Sequence, residues 1–185
     1  MGKRGFSLLE LLVALSVAAA LMLMALPAFN IFSARAHTES SRVVLARLVY
    51  TARHAAITRN RPVVLCPGDE NGCGARDTWH RGTVAFVDED LDLIRDPSES
   101  RVAQVPALER STVVWRAFRN RGYLKFMPSG YTDWQNGHFL ICPEHETDTG
   151  LARQLVLNSA GRLYYSVDKD GDGVHEDVRG RPLQC

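Results

Sequence analysis

The chain has 185 residues, four cysteines and a formal net charge of +1, from 22 basic and 21 acidic side chains. Its length accommodates one compact domain of ordinary size beside an N-terminal apolar segment. The near-neutral charge excludes any argument from bulk electrostatics for a nucleic-acid or membrane-surface partner.

The N-terminal stretch at positions 5–10 has the sequence GFSLLE, and an apolar run from Leu11 to Phe29 follows it. A run of roughly 19 residues with a rise of about 1.5 Å each is long enough for one membrane helix. Lys3 and Arg4 precede this run, which predicts a cytoplasmic N-terminus. Glu10 lies one turn inside the apolar helix, where a lone charge is costly, so we predict a functional role for this carboxylate.

Two simpler explanations of the apolar run are a secretory signal and a plain membrane anchor. The small residues at positions 25–28 resemble a secretory cleavage site only weakly, and such a signal carries no acid in its apolar core. A plain anchor explains neither the glycine–aromatic junction nor Glu10. The stretch instead resembles the class III signal of type IV prepilins and type II secretion pseudopilins.

This resemblance implies that a prepilin peptidase of the membrane cleaves between Gly5 and Phe6 and methylates the new N-terminal amine. In the filament model of this family, Glu10 meets the amine of Phe6 on a neighbouring subunit. Such a pair aligns subunits and removes two isolated charges from the membrane.

Pro27 lies inside the predicted helix, about one membrane depth from Phe6. Because proline removes a backbone hydrogen bond, we expect the helix to bend or loosen there. In the resembled family, a proline at this place marks where the stalk helix can melt on assembly.

Beyond Pro27 the pattern becomes amphipathic, and the helix is predicted to end at the Asn-Arg-Pro sequence of residues 60–62. Apolar residues recur at steps of three and four, which predicts a face that docks on a sheet. These residues are Leu45, Leu48, Ala52 and Ala55.

After residue 62 the period changes to that of short strands separated by turns such as 128–130 and 160–161. The predicted strands are 63–66, 83–87, 102–105, 112–117, 123–127, 138–142, 154–157 and 163–167. The predicted fold is α+β and type IV pilin-like, with a long N-terminal helix, half membrane-spanning and half amphipathic, packed on a C-terminal antiparallel β-sheet domain. The predicted divisions are a leader at 1–5, a membrane and assembly helix at 6–29, an amphipathic helix at 30–61 and a globular domain at 62–185.

Within the pilin class, the globular part resembles the GspH/FimT family of minor pilins and pseudopilins. The matching segments are TARHAA at 51–56, Trp79 with GTVAFVD at 82–88, FLIC at 139–142, and LVLNSAGRL at 155–163. The resemblance implies an anchor helix with packed β-sheets.

All four cysteines follow the apolar helix, on the side of the membrane that permits disulfides. Of the three possible pairings, we favour Cys66 with Cys73 and Cys142 with Cys185. A zinc site that uses Cys142 with His138 or His145 is the alternative, but no second Cys-x-x-Cys or histidine pair at ligand spacing supports it.

Residues 168–173, with the sequence DKDGDG, fit the opening of a calcium loop through Asp168, Asp170 and Asp172. The closing glutamate is missing because Arg179 stands at the twelfth position, although Glu176 or Asp177 can substitute for it. A solvated acidic turn is the favoured alternative, so we expect no cofactor. A second acidic stretch at 88–92 lacks the glycine and is predicted to be a solvated turn.

The sequence lacks the common motifs of hydrolases, metalloproteases and phosphate-binding loops, and this predicts that the protein is not an enzyme. A nucleic-acid surface is a further possibility if the fold clusters its basic residues. Those residues are Arg116, Arg119, Arg121, Lys125, Arg162, Arg179 and Arg181. Some FimT-like pilins bind DNA and carry a G-R-x-R motif, but this chain has GRLY at 161–164, without the second arginine.

The sequence therefore predicts a minor pilin of a type IV pilus that serves in assembly, motility or adhesion, with other pilins and the prepilin peptidase as partners. It predicts an inner-membrane anchor with a periplasmic C-terminal domain, followed by incorporation into the filament. The alternatives are an H-type pseudopilin of type II secretion and a DNA-binding pilin for natural transformation.

Overall fold

The computed structural model of the chain describes residues 7–144 and 149–185. The predicted cleavage junction at Gly5 and Phe6 lies outside these residues, as does His145.

One helix, α1 (Leu8–Arg59), forms the N-terminal third of the chain. The Ser7 hydroxyl caps its start by accepting the backbone N–H of Glu10 at 3.2 Å. The helix ends where the sequence predicts, because Asn60 adopts a left-handed conformation with φ of 52° and the chain then turns at residues 61–62. The helix continues without interruption through position 27, so the bend at Pro27 stays a prediction.

The described residues after α1 form nine strands in two antiparallel sheets. The strands are β1 (Val63–Asp69), β2 (Gly72–Cys73), β3 (Thr83–Val87), β4 (Arg101–Val105), β5 (Ser111–Ala117), β6 (Leu124–Phe126), β7 (Gly137–Pro143), β8 (Arg153–Leu157) and β9 (Leu163–Tyr165). The first sheet has the order β2-β1-β3-β4, with β6 also paired to β1, and the second has the order β5-β7-β8-β9. The predicted class, a long N-terminal helix on an antiparallel β domain, is confirmed.

The core lies between the lower half of α1 and the inner faces of both sheets. The four residues of the predicted docking face, from Leu45 to Ala55, are all buried in it. On the sheet side, the ring of Phe139 packs against Trp115 and Trp79, with centroids 4.4 and 4.9 Å away. This aromatic cluster joins β5 and β7 to the turn at Trp79–Arg81 that precedes β3.

Two turns of the β domain lie directly against α1 at Arg53. Its guanidinium donates hydrogen bonds to the carbonyl oxygens of Gly130 at 2.8 Å and Ala160 at 3.4 Å. Gly130 and Gly161 both have positive φ, and a Cβ on Gly161 would lie 2.4 Å from the Gly130 oxygen and 2.7 Å from Arg53 Nε. Glycine is therefore required for this close approach.

The acidic stretch at 88–92 is solvated as predicted at residues 89–92, which are exposed, but its first residue, Asp88, is completely buried. Its carboxylate pairs with the buried ammonium of Lys125 on β6 at 3.0 Å and accepts the backbone N–H of Leu93 at 3.3 Å. The two partners lie 37 residues apart, so local sequence gives no sign of the pair. The pairing also removes Lys125 from the residues that can contact phosphates.

Candidate functional site: the assembly helix and its domain surfaces

The upper half of α1 is exposed around its whole circumference. Every described side chain from Ser7 to Phe32 is exposed, including Leu8 at 78% and Phe29 at 66%. This is the one helix among the described residues that is long and apolar enough to cross a membrane. Because its own domain covers none of this surface, the surface must be covered by lipid or by other chains.

Glu10 lies in the first turn of this exposed half. Its position near the helix N-terminus suits a carboxylate, because the helix dipole is positive there. Among residues 7–144 and 149–185, no cationic side chain pairs with the Glu10 carboxylate. Any pairing cation for Glu10 would lie outside the described residues, in this chain or in another one. Ser16, the polar residue of the run, instead donates its hydroxyl to the carbonyl of Leu12 within the helix.

The lower half of α1 is joined to the second sheet by polar contacts as well as by its apolar face. Glu39 forms a bidentate ion pair with Arg42 one turn further on. The Arg42 guanidinium lies over the ring of Tyr165 on β9, 4.6 Å from its centroid. Arg153 on β8 approaches the same carboxylate to 3.9 Å. These contacts fix the orientation of the helix against the domain.

All four cysteines form the two favoured disulfides, Cys66 with Cys73 and Cys142 with Cys185. The first closes a loop across β1 and β2, and the second ties the C-terminal segment to β7. With Cys142 in a disulfide, no thiolate remains there for zinc, so the alternative with His138 or His145 loses its central ligand.

The structure brings Asp168, Asp170 and Asp172 together with Glu176, with one carboxylate oxygen from each lying within 4.8 Å of the others. Backbone N–H groups of Gly173 and Gly171 bond Asp168 and lower the pKa of its carboxyl. Glu176 accepts the backbone N–H of Lys169. Among these residues the carboxylates are satisfied mainly by the backbone, as in an ordinary acidic turn.

The other possible closing ligand, Asp177, is already engaged. Both the backbone N–H and the guanidinium of Arg181 bond its carboxylate, and they lower its pKa to about 2. Its side chain is therefore held by Arg181, away from the role of a metal ligand.

The arginines that suggest nucleic-acid binding do not form one continuous cluster. Arg116 and Arg181 line one groove, and Arg119 and Arg121 line another. Arg162 is in the turn between β8 and β9, whereas Arg179 and Arg181 are in a turn near the C-terminus. Arg121 pairs with Asp133 at 3.1 Å, and Arg119 lies over the ring of Phe118. No contact within the described ranges joins Arg162 to the C-terminal turn. The role of Arg53, which holds the helix on the β domain through hydrogen bonds to two turns, was not predicted from the sequence.

A long apolar helix whose lower half packs on an antiparallel β domain defines a pilin-like protein. The chain belongs to the family described as "Type II transport protein GspH", whose model matches residues 44–161. Residues 1–26 match the prokaryotic N-terminal methylation motif. The predicted family is thereby confirmed.

Solved structures show the same fold. The minor pilin FimU of Pseudomonas aeruginosa aligns with a TM-score of 0.55 at 19% identity, over 74% of this chain and 92% of that one. The minor pseudopilin EpsH of the Vibrio cholerae type 2 secretion system aligns with a TM-score of 0.50 at 11% identity, over 70% of this chain and 95% of that one. No curated protein sequence matches the chain.

The family and the N-terminal motif together identify the chain as a minor pilin or pseudopilin of a type IV pilus or a type II secretion system. Membership implies processing by a prepilin peptidase and assembly with other pilins or pseudopilins. The apolar helix fits a membrane-anchored subunit that passes into a filament.

Proposed function

We propose that the protein is a minor pilin of a type IV pilus, anchored in the inner membrane with its β domain in the periplasm before assembly. The observation that carries this proposal is the exposed upper half of α1, an apolar surface that its own domain leaves uncovered. In a filament, the same surface is buried among the helices of neighbouring subunits. The two disulfides favour the pilus over the secretion system through their resemblance to pilus subunits.

In this proposal the subunit is cut between Gly5 and Phe6, and Glu10 pairs with the freed amine of Phe6 on the next subunit. The absence of a pairing cation for Glu10 within the described residues supports this role. A charge pair formed between subunits orients the incoming helix, while an unpaired charge in lipid costs several kcal/mol.

A clean deletion tests the proposal when three activities are scored in parallel: surface piliation, release of secreted enzymes and DNA uptake. Lost piliation with intact secretion is the expected result. Lost secretion with normal piliation would instead make the protein an H-type pseudopilin. Complementation with the wild-type chain is the control for effects on neighbouring genes.

DNA binding is the second candidate, and failed DNA uptake with normal piliation and secretion would favour it. The separation of Arg162 from the C-terminal turn, and the engagement of Arg181 by Asp177, count against a continuous phosphate-binding surface. We propose no catalytic activity and no bound cofactor, because the sequence carries none of the common catalytic motifs.

A further inference from the structure

A groove of about 440 Å³ lies between the second sheet and the C-terminal segment. Its floor is the outer face of β5, β7 and β8, where Arg116 stands opposite His138 and Leu140 stands opposite Gln154. Its other wall is formed by the C-terminal segment from Asp177 to Gln184.

The C-terminal segment is fixed in this position by two contacts. Leu183 is 5% exposed and packs in an apolar cluster with Leu140, Cys142 and Ala152. The disulfide between Cys142 and Cys185 joins its end covalently to β7. The groove is therefore bounded by rigid elements on both sides.

Gln154 lines the groove and is only 7% exposed. Its side-chain amide has no hydrogen-bond partner among the described residues. Only its backbone is satisfied, by the hydroxyl and the N–H of Ser166 at 2.9 and 3.0 Å. Because Gln154 lines the groove and no protein group satisfies its amide, the amide is available to a polar ligand that enters there.

Two further polar side chains face the same space without a partner in the described part of the chain, Arg116 and His138. Arg181 also lines the groove, but its charge is compensated by Asp177. The groove thus carries one uncompensated positive charge, from Arg116. Burial lowers the pKa of His138, Arg116 lowers it further and Asp177 opposes the shift, so the surroundings favour the neutral imidazole.

We propose that this groove binds a carboxylate group, with the Arg116 guanidinium as its charged partner and the Gln154 amide and His138 imidazole as additional hydrogen-bond donors. A planar anion with one charge matches one guanidinium and can accept two parallel hydrogen bonds from it. A phosphate dianion fits less well, because its second charge would face the Asp177 carboxylate. The carboxylate comes either from a small organic acid or from an acidic side chain of another protein chain.

The test is a titration of the full-length protein in detergent micelles, followed by NMR of labelled histidine. The probes are acetate and a short peptide with blocked termini whose single charged group is one glutamate. Binding is expected to shift the His138 signals and to raise the pKa of His138, because the bound negative charge stabilises the imidazolium. A peptide that binds at least tenfold more tightly than acetate identifies a protein chain as the source, and equal affinities identify a small acid.

Matched variants separate the groove from general charge effects. Arg116→Gln is expected to weaken binding at least about tenfold, the loss typical of a charged hydrogen bond. Arg162→Gln removes the same charge from the turn between β8 and β9 and should leave binding within about twofold. Gln154→Leu should weaken binding without lowering the unfolding midpoint, because it removes an amide that no protein group satisfies.

Two results would overturn the proposal. One is the absence of any shift at His138 with either probe at millimolar concentration. The other is an equal loss of binding in the Arg116→Gln and Arg162→Gln variants, which would assign the effect to net charge alone. Both results are independent of whether the protein serves a pilus or a secretion system.

Discussion

The two halves of α1 are continuous in the backbone but differ in what surrounds them. In the upper half, from Ser7 to Phe32, every described side chain is exposed and almost all are apolar. In the lower half, apolar residues form one face that is buried in the β domain, while charged residues occupy the other faces. The spacing and the share of apolar residues thus distinguish the upper half, which needs an external partner, from the lower half, which is stabilised within its own chain.

The comparison is sharpest at Glu10, where we expect the largest effect. Glu10→Gln should reduce incorporation into filaments at least about tenfold, because the amine of the neighbouring subunit loses its partner in an apolar environment. Quantitative immunoblotting of sheared filaments measures this, and the unfolding free energy of the β domain should not change. Ser16→Ala is the control, since the Ser16 hydroxyl bonds only its own helix. Normal incorporation of the Glu10 variant would contradict the pairing role.

The second prediction compares a leucine from each half. Leu45→Ala should lower the free energy of unfolding by about 2–5 kcal/mol, because Leu45 is 1% exposed in the core. Leu21→Ala makes the same chemical change at a side chain that is 63% exposed, and should have little effect. Denaturant unfolding of the full-length protein in detergent micelles measures both. Equal effects would mean that the upper half also stabilises the domain.

The third prediction concerns the hydrogen bonds by which Arg53 holds the lower half of α1 on the β domain. Arg53→Met should cost about 1.5–3 kcal/mol, because it removes charged hydrogen bonds to the Gly130 and Ala160 carbonyls. Arg47→Met is the matched change on an exposed part of the same helix and should cost little. The same unfolding experiment applies, and hydrogen exchange at residues 130 and 160 should increase in the Arg53 variant alone. An Arg47 variant as unstable as the Arg53 variant would refute this account.

The smallest effect is expected for the ion pairs of Glu39. Glu39→Gln should cost less than about 1 kcal/mol, because its carboxylate is partly exposed. The difference from the wild type should disappear at about 1 M salt, where charges are screened within about 3 Å. Glu109→Gln, at an exposed position outside the helix, is the control. A larger cost that persists in high salt would show that Glu39 acts through packing rather than charge.

Much of the fold follows from sequence, because strand and helix periods are local properties. All eight predicted strands are present, yet β1 continues to Asp69, beyond the predicted end at residue 66, and the two-residue β2 was not predicted. A pair of residues is too short to show a period. Pairing across the hairpin with β1 is what defines β2.

The site is less predictable from sequence because its decisive contacts join distant residues. The pair between Asp88 and Lys125 buries the first residue of a predicted solvated turn, and its members meet because β3 and β6 both pair with β1. The groove around Gln154 also depends on three strands and the C-terminal segment. By contrast, Glu10 can be recognised from the sequence as a candidate functional residue, because an acid within an apolar run is unusual; its pairing role stays a prediction.

The bond between Cys142 and Cys185 also determines how the protein responds to mechanical load. It joins residues 43 positions apart, so a chain pulled from the helix and from its last residue extends only as far as Cys142 until the bond is reduced. At about 3.5 Å per residue, the segment enclosed by the bond would add roughly 150 Å of contour length if the bond were reduced. The domain is thereby protected against complete extension, and single-molecule force spectroscopy should show a contour-length increment longer by that amount after reduction.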